Sequence, residues 1–391
     1  MQRTQKINIK FSQKLVFILF CLITLGSTIV GCDSSDEPEV VMPNEEAEES
    51  APVNYAPRTS GDWKVSTPEE QDIDPLLLNE LYENAAEMET IYGLLVVKNG
   101  NLIAEDYFNG SFINQKNLIQ SVSKSYISAL VGIALEEGCL TSLDQKLVDF
   151  FPEQANQITD PRKRQITLRE MLQMRSGYPD EETHQDFLDA LYWGEYLDLI
   201  VDFPLVSDPG DEFNYSNLTY SWLAIILSRA CEENLKEYAQ VRLFEPLGTE
   251  VGKWLQDRDG HYIGSGGIHI TARDAAKFGL LYLNGGEYEG TQIIPSAWVR
   301  DSLQNYSKKT RGNINSFRNL GYGYGWWKAK IGGHLCSFAW GHGGQLIVLL
   351  DDLDMVVVST ADPFFGQHDG NSWKHEKAVF DLVGDFIKSL P

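Results

Sequence analysis

Gln120-Ser121-Val122-Ser123-Lys124-Ser125-Tyr126 leads into apolar residues at Ile127, Leu130, Val131, Ala134 and Leu135, and the pattern stops at Gly138. Recurrence every three or four residues predicts an amphipathic helix with Ser121 and Lys124 in its first turn, on one face. A serine hydroxyl becomes a useful nucleophile only when a base takes its proton, and a lysine serves as that base only where burial or charge disfavours its ammonium form. The positive end of a helix favours an alkoxide and disfavours an ammonium, so it helps both. Ser121 is the only serine in the chain followed by lysine three positions later.

Around this stretch lies a chain of 391 residues, 43% hydrophobic and 11% aromatic, enough to build a sizeable core. Acidic residues number 56 against 32 basic ones, a net charge of -24. Nucleic-acid binding relies on Lys and Arg neutralising phosphates, so that class of partner is excluded.

Arg3, Lys6, Lys10 and Lys14 precede an apolar run from Leu15 to about Val30, closed by Gly31-Cys32. A basic flank and an apolar core too short to span a bilayer comfortably predict an export signal over residues 1–31. Ile29-Val30-Gly31-Cys32 resembles the lipobox of bacterial lipoproteins, which implies lipidation of Cys32 and a lipid-anchored protein in the bacterial cell envelope. Residues 32–60 are acidic, Ser/Pro-rich and without apolar period, and are expected to be a disordered tether. Cys139, Cys231 and Cys336 remain, an odd number at scattered spacings; one disulfide is possible, and the sequence does not choose the pair.

The remaining domain, residues 61–391, alternates helical and strand-like stretches. Pro75 to Met88 carries a helical stripe, and Tyr92 to Lys98 and Leu102 to Phe108 are strand-like runs joined at Asn99-Gly100, a hairpin signal. From about residue 140 to 260 helical patterns dominate. Thr167 and Glu170 form a capping box there, and Trp222 to Cys231 reads as a buried helix. Thr271 to Leu283 is helical, Phe338 to Thr360 returns to β-rich runs, and Val379 to Ile387 closes as a helix. The expected fold class is α+β: an antiparallel sheet with strands from both ends, covered by helices, with a mostly helical insertion and the active site where the sheet edge meets it.

Three motifs in order complete the reading: Ser121-Val122-Ser123-Lys124, Tyr215-Ser216-Asn217 inside Pro209 to Asn217, and His342-Gly343-Gly344 after Tyr322 to Trp327. Tyr82, Tyr107 and Tyr282 also begin Tyr-x-Asn, and His368-Asp369-Gly370 and Lys330-Ile331-Gly332 rival the third motif. The chain resembles the penicillin-binding, class C β-lactamase-like serine hydrolases, in the branch of esterases and 6-aminohexanoate-dimer hydrolases. That resemblance implies the β-lactamase/transpeptidase-like fold.

It also implies Ser121 as nucleophile, Lys124 and Tyr215 as proton relay, and Asn217 orienting Lys124 and the substrate. Backbone N–H groups of Ser121 and Gln345 would form the oxyanion hole, with Gly343 and Gly344 letting the strand approach the substrate. His342 stands where most β-lactamases have a lysine that helps bind the substrate carboxylate, which favours esters or simple amides over β-lactams. Its role is left open between polarising the site and packing. A phenol is too weak an acid to be ionised at neutral pH, so Tyr215 acts as base only if Lys124 stabilises its phenolate.

No histidine spacing suits a metal, and no cofactor is implied. Gly264-Ser265-Gly266-Gly267 reads as a turn. The expected activity is ester or amide hydrolysis through an acyl-enzyme on a small-molecule substrate. The alternatives are a D-amino-acid peptidase or β-lactamase acting on cell-wall material, and a non-catalytic binding module with the same fold.

Overall fold

In the computed structural model the described residues are 53–59, 61–181, 196–308 and 310–391, and they fall in one unit spanning Pro52–Pro391. The expected signal, Cys32 and most of the expected tether lie outside the described residues. Among the described residues no helix is long and apolar enough to cross a membrane.

Apolar strand runs set the architecture. β1 (Ile91–Lys98) and β2 (Asn101–Tyr107) form the expected hairpin, with Asn99 and Gly100 both at positive φ. β3 (Arg318–Tyr322), β4 (Trp327–Ile331), β5 (His334–Gly341), β6 (Gln345–Leu350) and β7 (Met355–Ala361) follow from the other end of the chain. They make one antiparallel sheet in the order β2-β1-β7-β6-β5-β4-β3. Every residue of β6 and β7 is buried. Both faces of these strands are therefore covered, which is why they read as unbroken apolar runs without polar alternation.

Five longer helices supply the cover: α1 (Pro75–Ala86), α2 (Ser123–Glu136), α3 (Asn217–Cys231), α4 (Ala272–Leu283) and α5 (Ser372–Ser389). α4 lies on one face. A side chain at Gly279 would meet Ile347 and Val356 within 3 Å, so glycine sets how closely this helix approaches. Adjacent strand residues point to opposite faces, and Phe338, paired with Val348, meets Phe380 of α5 on the other face at 6.2 Å. α1 packs beside α5, and α2 packs on α4 through Tyr126 and Phe278, stacked at 3.8 Å.

Three local differences from the sequence expectation have physical causes. α3 begins at Asn217, because the Ser216 side chain caps it by accepting from the Thr219 N–H. α5 begins at Ser372, ahead of the apolar stripe. Val53 and Tyr55, placed by composition in the tether, pack on the core: Tyr55 stacks with Tyr82 at 5.2 Å, and the Glu105 N–H donates to its carbonyl. Arg273 of α4 fastens the neighbouring residues, donating to Arg58 O, to Asp62 and to the buried Glu105.

Candidate active site

Ser121 sits in a single 3-10 turn, Gln120–Val122, that runs into α2. Gln120 has a φ of 47°, a costly conformation for a residue with a side chain. Gly341 at the end of β5 explains how the turn is held: a Cβ there would lie 2.4 Å from the Ile119 carbonyl and 3.1 Å from the Gln120 side chain. Only glycine lets β5 and the Ser121 turn approach so closely. β5 lies between β4 and β6, so the site forms at the end of an interior strand and not at the sheet edge.

One turn into α2, Lys124 is 1% exposed. Its Nζ lies 2.8 Å from Ser121 Oγ, 2.7 Å from Asn217 Oδ1 and 2.7 Å from the Ser265 carbonyl. Two of these three partners can only accept. An amide oxygen and a carbonyl therefore hold two N–H bonds, and the third position points at the one partner that can also donate, the Ser121 hydroxyl. A neutral Lys124 amine fits these three contacts by accepting a hydrogen bond from the Ser121 hydroxyl.

Ser265 comes from the glycine run expected to be only a turn. Ser123 Oγ accepts from the Gly267 and Ile268 N–H groups and pins that segment against α2. Its backbone thereby becomes part of the site.

Tyr215 is 5% exposed and lines the same cavity as Ser121. The Lys124 Nζ lies 4.8 Å from its ring centroid, and the ring stacks on Trp327 at 5.7 Å and meets Tyr322 edge-on. The competing tyrosines sit elsewhere. Tyr82 is buried and donates to Leu94 O, Tyr107 donates to Glu105, and Tyr282 packs against Phe278 and Trp326.

Asn217 and Ser216 are held from behind by Glu181, a fully buried carboxylate. It accepts from Asn217 N–H at 2.6 Å, Leu218 N–H at 2.9 Å and Ser216 Oγ at 3.0 Å. Burial pushes its pKa up to about 7, against these donors and the nearby Lys124 charge, which lower it.

The third motif is equally supported. His342 Nδ1 lies 2.8 Å from Glu376 Oε2, and the same carboxylate accepts from Gly343 N–H at 2.9 Å and from the Trp340 indole at 2.6 Å. His342 is half exposed and lines the cavity, so it is not a packed core residue. With its Nδ1 on a carboxylate, the neutral ring presents Nε2 as an acceptor. Gly343 has a φ of 85° and sits where a Cβ would lie 2.6 Å from Pro363. Among the rivals, Lys330 is exposed near the end of β4 and His368 is exposed in the loop before α5. Glu376→Gln is expected to lower kcat/KM roughly tenfold, because a slightly misaimed imidazole misplaces the substrate, and to lower the melting temperature, because the amide NH2 faces an N–H donor inside the protein. Steady-state kinetics across pH check it.

The cavity has a volume of about 490 Å³. Tyr215, Trp327, Trp340 and Trp373 wall it, and Arg311 also lines it, its guanidinium 5.1 Å from the Tyr215 ring and 5.5 Å from the Trp340 ring.

Residues 93–364 match the family model described as Beta-lactamase. The chain belongs to the beta-lactamase family. This serine hydrolase family includes a 6-aminohexanoate-dimer hydrolase from Paenarthrobacter ureafaciens, 26% identical over 247 residues, covering 60% of this chain and 63% of that protein. Beta-lactamase-like protein 2 from Dictyostelium discoideum is 21% identical, over 50% of this chain and 40% of its own. The chain thus spans less than two thirds of these relatives' length. In fold it is similar to the octameric penicillin-binding protein homologue from Pyrococcus abyssi, with a TM-score of 0.61 at 20% identity over 79% of this chain and 77% of the other. EstCE1, a hydrolase with promiscuous acyltransferase activity, gives 0.60 at 16% identity over 78% and 98%. The beta-lactamase-family fold expected from the three motifs is the fold observed.

Proposed function

We propose that this protein hydrolyses esters or simple amides through an acyl-enzyme on Ser121. The observation that carries this reading is the buried Lys124 amine, held 2.8 Å from Ser121 Oγ while Asn217 Oδ1 and the Ser265 carbonyl accept from it. Lys124 takes the proton, Ser121 Oγ attacks the carbonyl carbon, and the oxyanion rests on the backbone N–H groups of Ser121 and Gln345. As the tetrahedral intermediate collapses, Tyr215 passes a proton to the departing alcohol or amine. Water, deprotonated by the same relay, then attacks the ester to Ser121 and releases the acid. The aromatic walls suit a substrate with an apolar or aromatic group beside the carbonyl.

A second reading has one observation in its favour. In place of the lysine absent from the third motif, Arg311, which also pairs with Asp180 at 3.9 Å, lines the cavity from another part of the chain. A guanidinium suits a carboxylate, so a D-amino-acid peptide or a β-lactam also fits. Beyond the domain, we propose that a lipid on Cys32 holds the protein at a bacterial membrane.

A fluorophosphonate probe tests the enzyme reading, with adduct mapping to Ser121 expected in the wild type and none in Ser121→Ala. An unmodified Ser121 would leave the non-catalytic module as the better account. Nitrophenyl esters, a chromogenic cephalosporin and D-alanyl peptides then separate the two catalytic readings by their relative kcat/KM.

A further inference from the structure

We propose that Cys139 and Cys231 form a disulfide that joins the far ends of the two helices whose near ends carry Lys124 and Asn217. α2 begins beside Ser121 and ends at Glu136, after which Gly138, with a φ of 80°, turns the chain into Cys139. α3 begins at Asn217 and ends at Cys231 itself. The helices pack against each other and run in the same direction, so both cysteines arrive at one place, about 20 Å from Ser121 by the rise of a helix. There both cysteines are free thiols, and beside them the Tyr238 hydroxyl donates to Glu137 at 3.0 Å.

Chemistry selects the same pair. Cys139 and Cys231 are both half-buried, whereas Cys336 is 1% exposed inside β5, with its thiol donating to Ala329 O at 3.6 Å. An oxidant of ordinary size reaches the first two and not the third. The reaction is thiol–disulfide exchange with a small disulfide such as oxidised glutathione. Cys139, as thiolate, attacks one sulfur of the oxidant, the oxidant's S–S bond breaks, and one thiol leaves. Cys231 then gives its proton to solvent and attacks the Cys139 sulfur, and the second thiol leaves. Two protein S–H bonds are replaced by one S–S bond, and the oxidant gains the two electrons. Burial pushes the Cys231 thiol up to about 12, where little thiolate is present for a first attack.

The bridge closes a loop of about ninety residues, which constrains the unfolded chain. It does not depend on the hydrolase reading. The test uses the purified full chain equilibrated with oxidised glutathione, alkylated, and digested with trypsin without reduction. The expected product is the peptide 125–146 linked to the peptide 230–236 and separated by reduction. Reduction should also lower the melting temperature by about 5 °C, and Cys139→Ser should abolish that difference. Recovery of both peptides singly and alkylated, a link from either to the Cys336 peptide, or an unchanged reduction-dependent shift in Cys139→Ser would each overturn the proposal.

Discussion

Lys124→Met is expected to lower kcat/KM for a nitrophenyl ester about ten-thousandfold, the scale seen when a base acting in one unit with its nucleophile is removed. Methionine matches the lysine stem in length and apolar character but cannot accept the Ser121 proton. The fold should survive. Lys124 is buried, so its ammonium form has given up its hydration, and replacing a buried charge with an apolar side chain of similar volume is often neutral for stability. The remaining cost is the loss of partners for Asn217 Oδ1 and the Ser265 carbonyl. Kinetics and a thermal melt on the same sample check both parts: a rate within tenfold of wild type would remove Lys124 from the chemistry, and a collapsed melt would make it a structural residue.

The second large effect concerns Glu181. Glu181→Ala removes the acceptor for two backbone N–H groups and one hydroxyl inside the protein, and should destabilise the fold by about 3 kcal/mol. A pH signature accompanies it. The carboxyl's pKa is raised from its ordinary 4.5 to about 7, so the folded chain keeps this proton after the unfolded chain has released it. The resulting contribution to stability is present in full below 4.5, declines as pH rises and is gone above about 7. Urea unfolding at pH 5 and pH 7 should therefore show a smaller fall in Glu181→Gln, which has nothing to titrate, than in the wild type. An equal fall in the two proteins would place the titrating group elsewhere.

What could be read in advance follows from how far each interaction reaches along the chain. Ser121 and Lys124 are one helical turn apart, so periodicity alone puts them on one face, and the two later motifs stand in the order that the family resemblance requires. The residues behind them left no such mark. Glu181 and Glu376 are two of 56 acidic residues, and neither has a distinctive spacing; each matters because the fold buries it against backbone donors. Ser265 contributes a carbonyl, which every residue possesses. Arg311 reaches the cavity from the segment before β3. The strand β3 was missed for a related reason: Asn319 has a φ of 56° and the pairing register shifts between Arg318 and Gly321, so the side chains do not alternate in the way that marks a regular strand. β4 does alternate, burying Trp327, Ala329 and Ile331, and that signal could have found it.

The order of strands in the sheet has a consequence for the protein during its own synthesis. β1 leaves the ribosome early, yet one of its two neighbours is β7, made about 260 residues later, and long-range pairing of this kind is slow to form. Glu376, which steadies the His342 turn, follows later still, on the helix that comes after the final strand of the sheet. A nascent chain thus presents Ser121 and Lys124 well before the strand and the helix that complete their surroundings have been made.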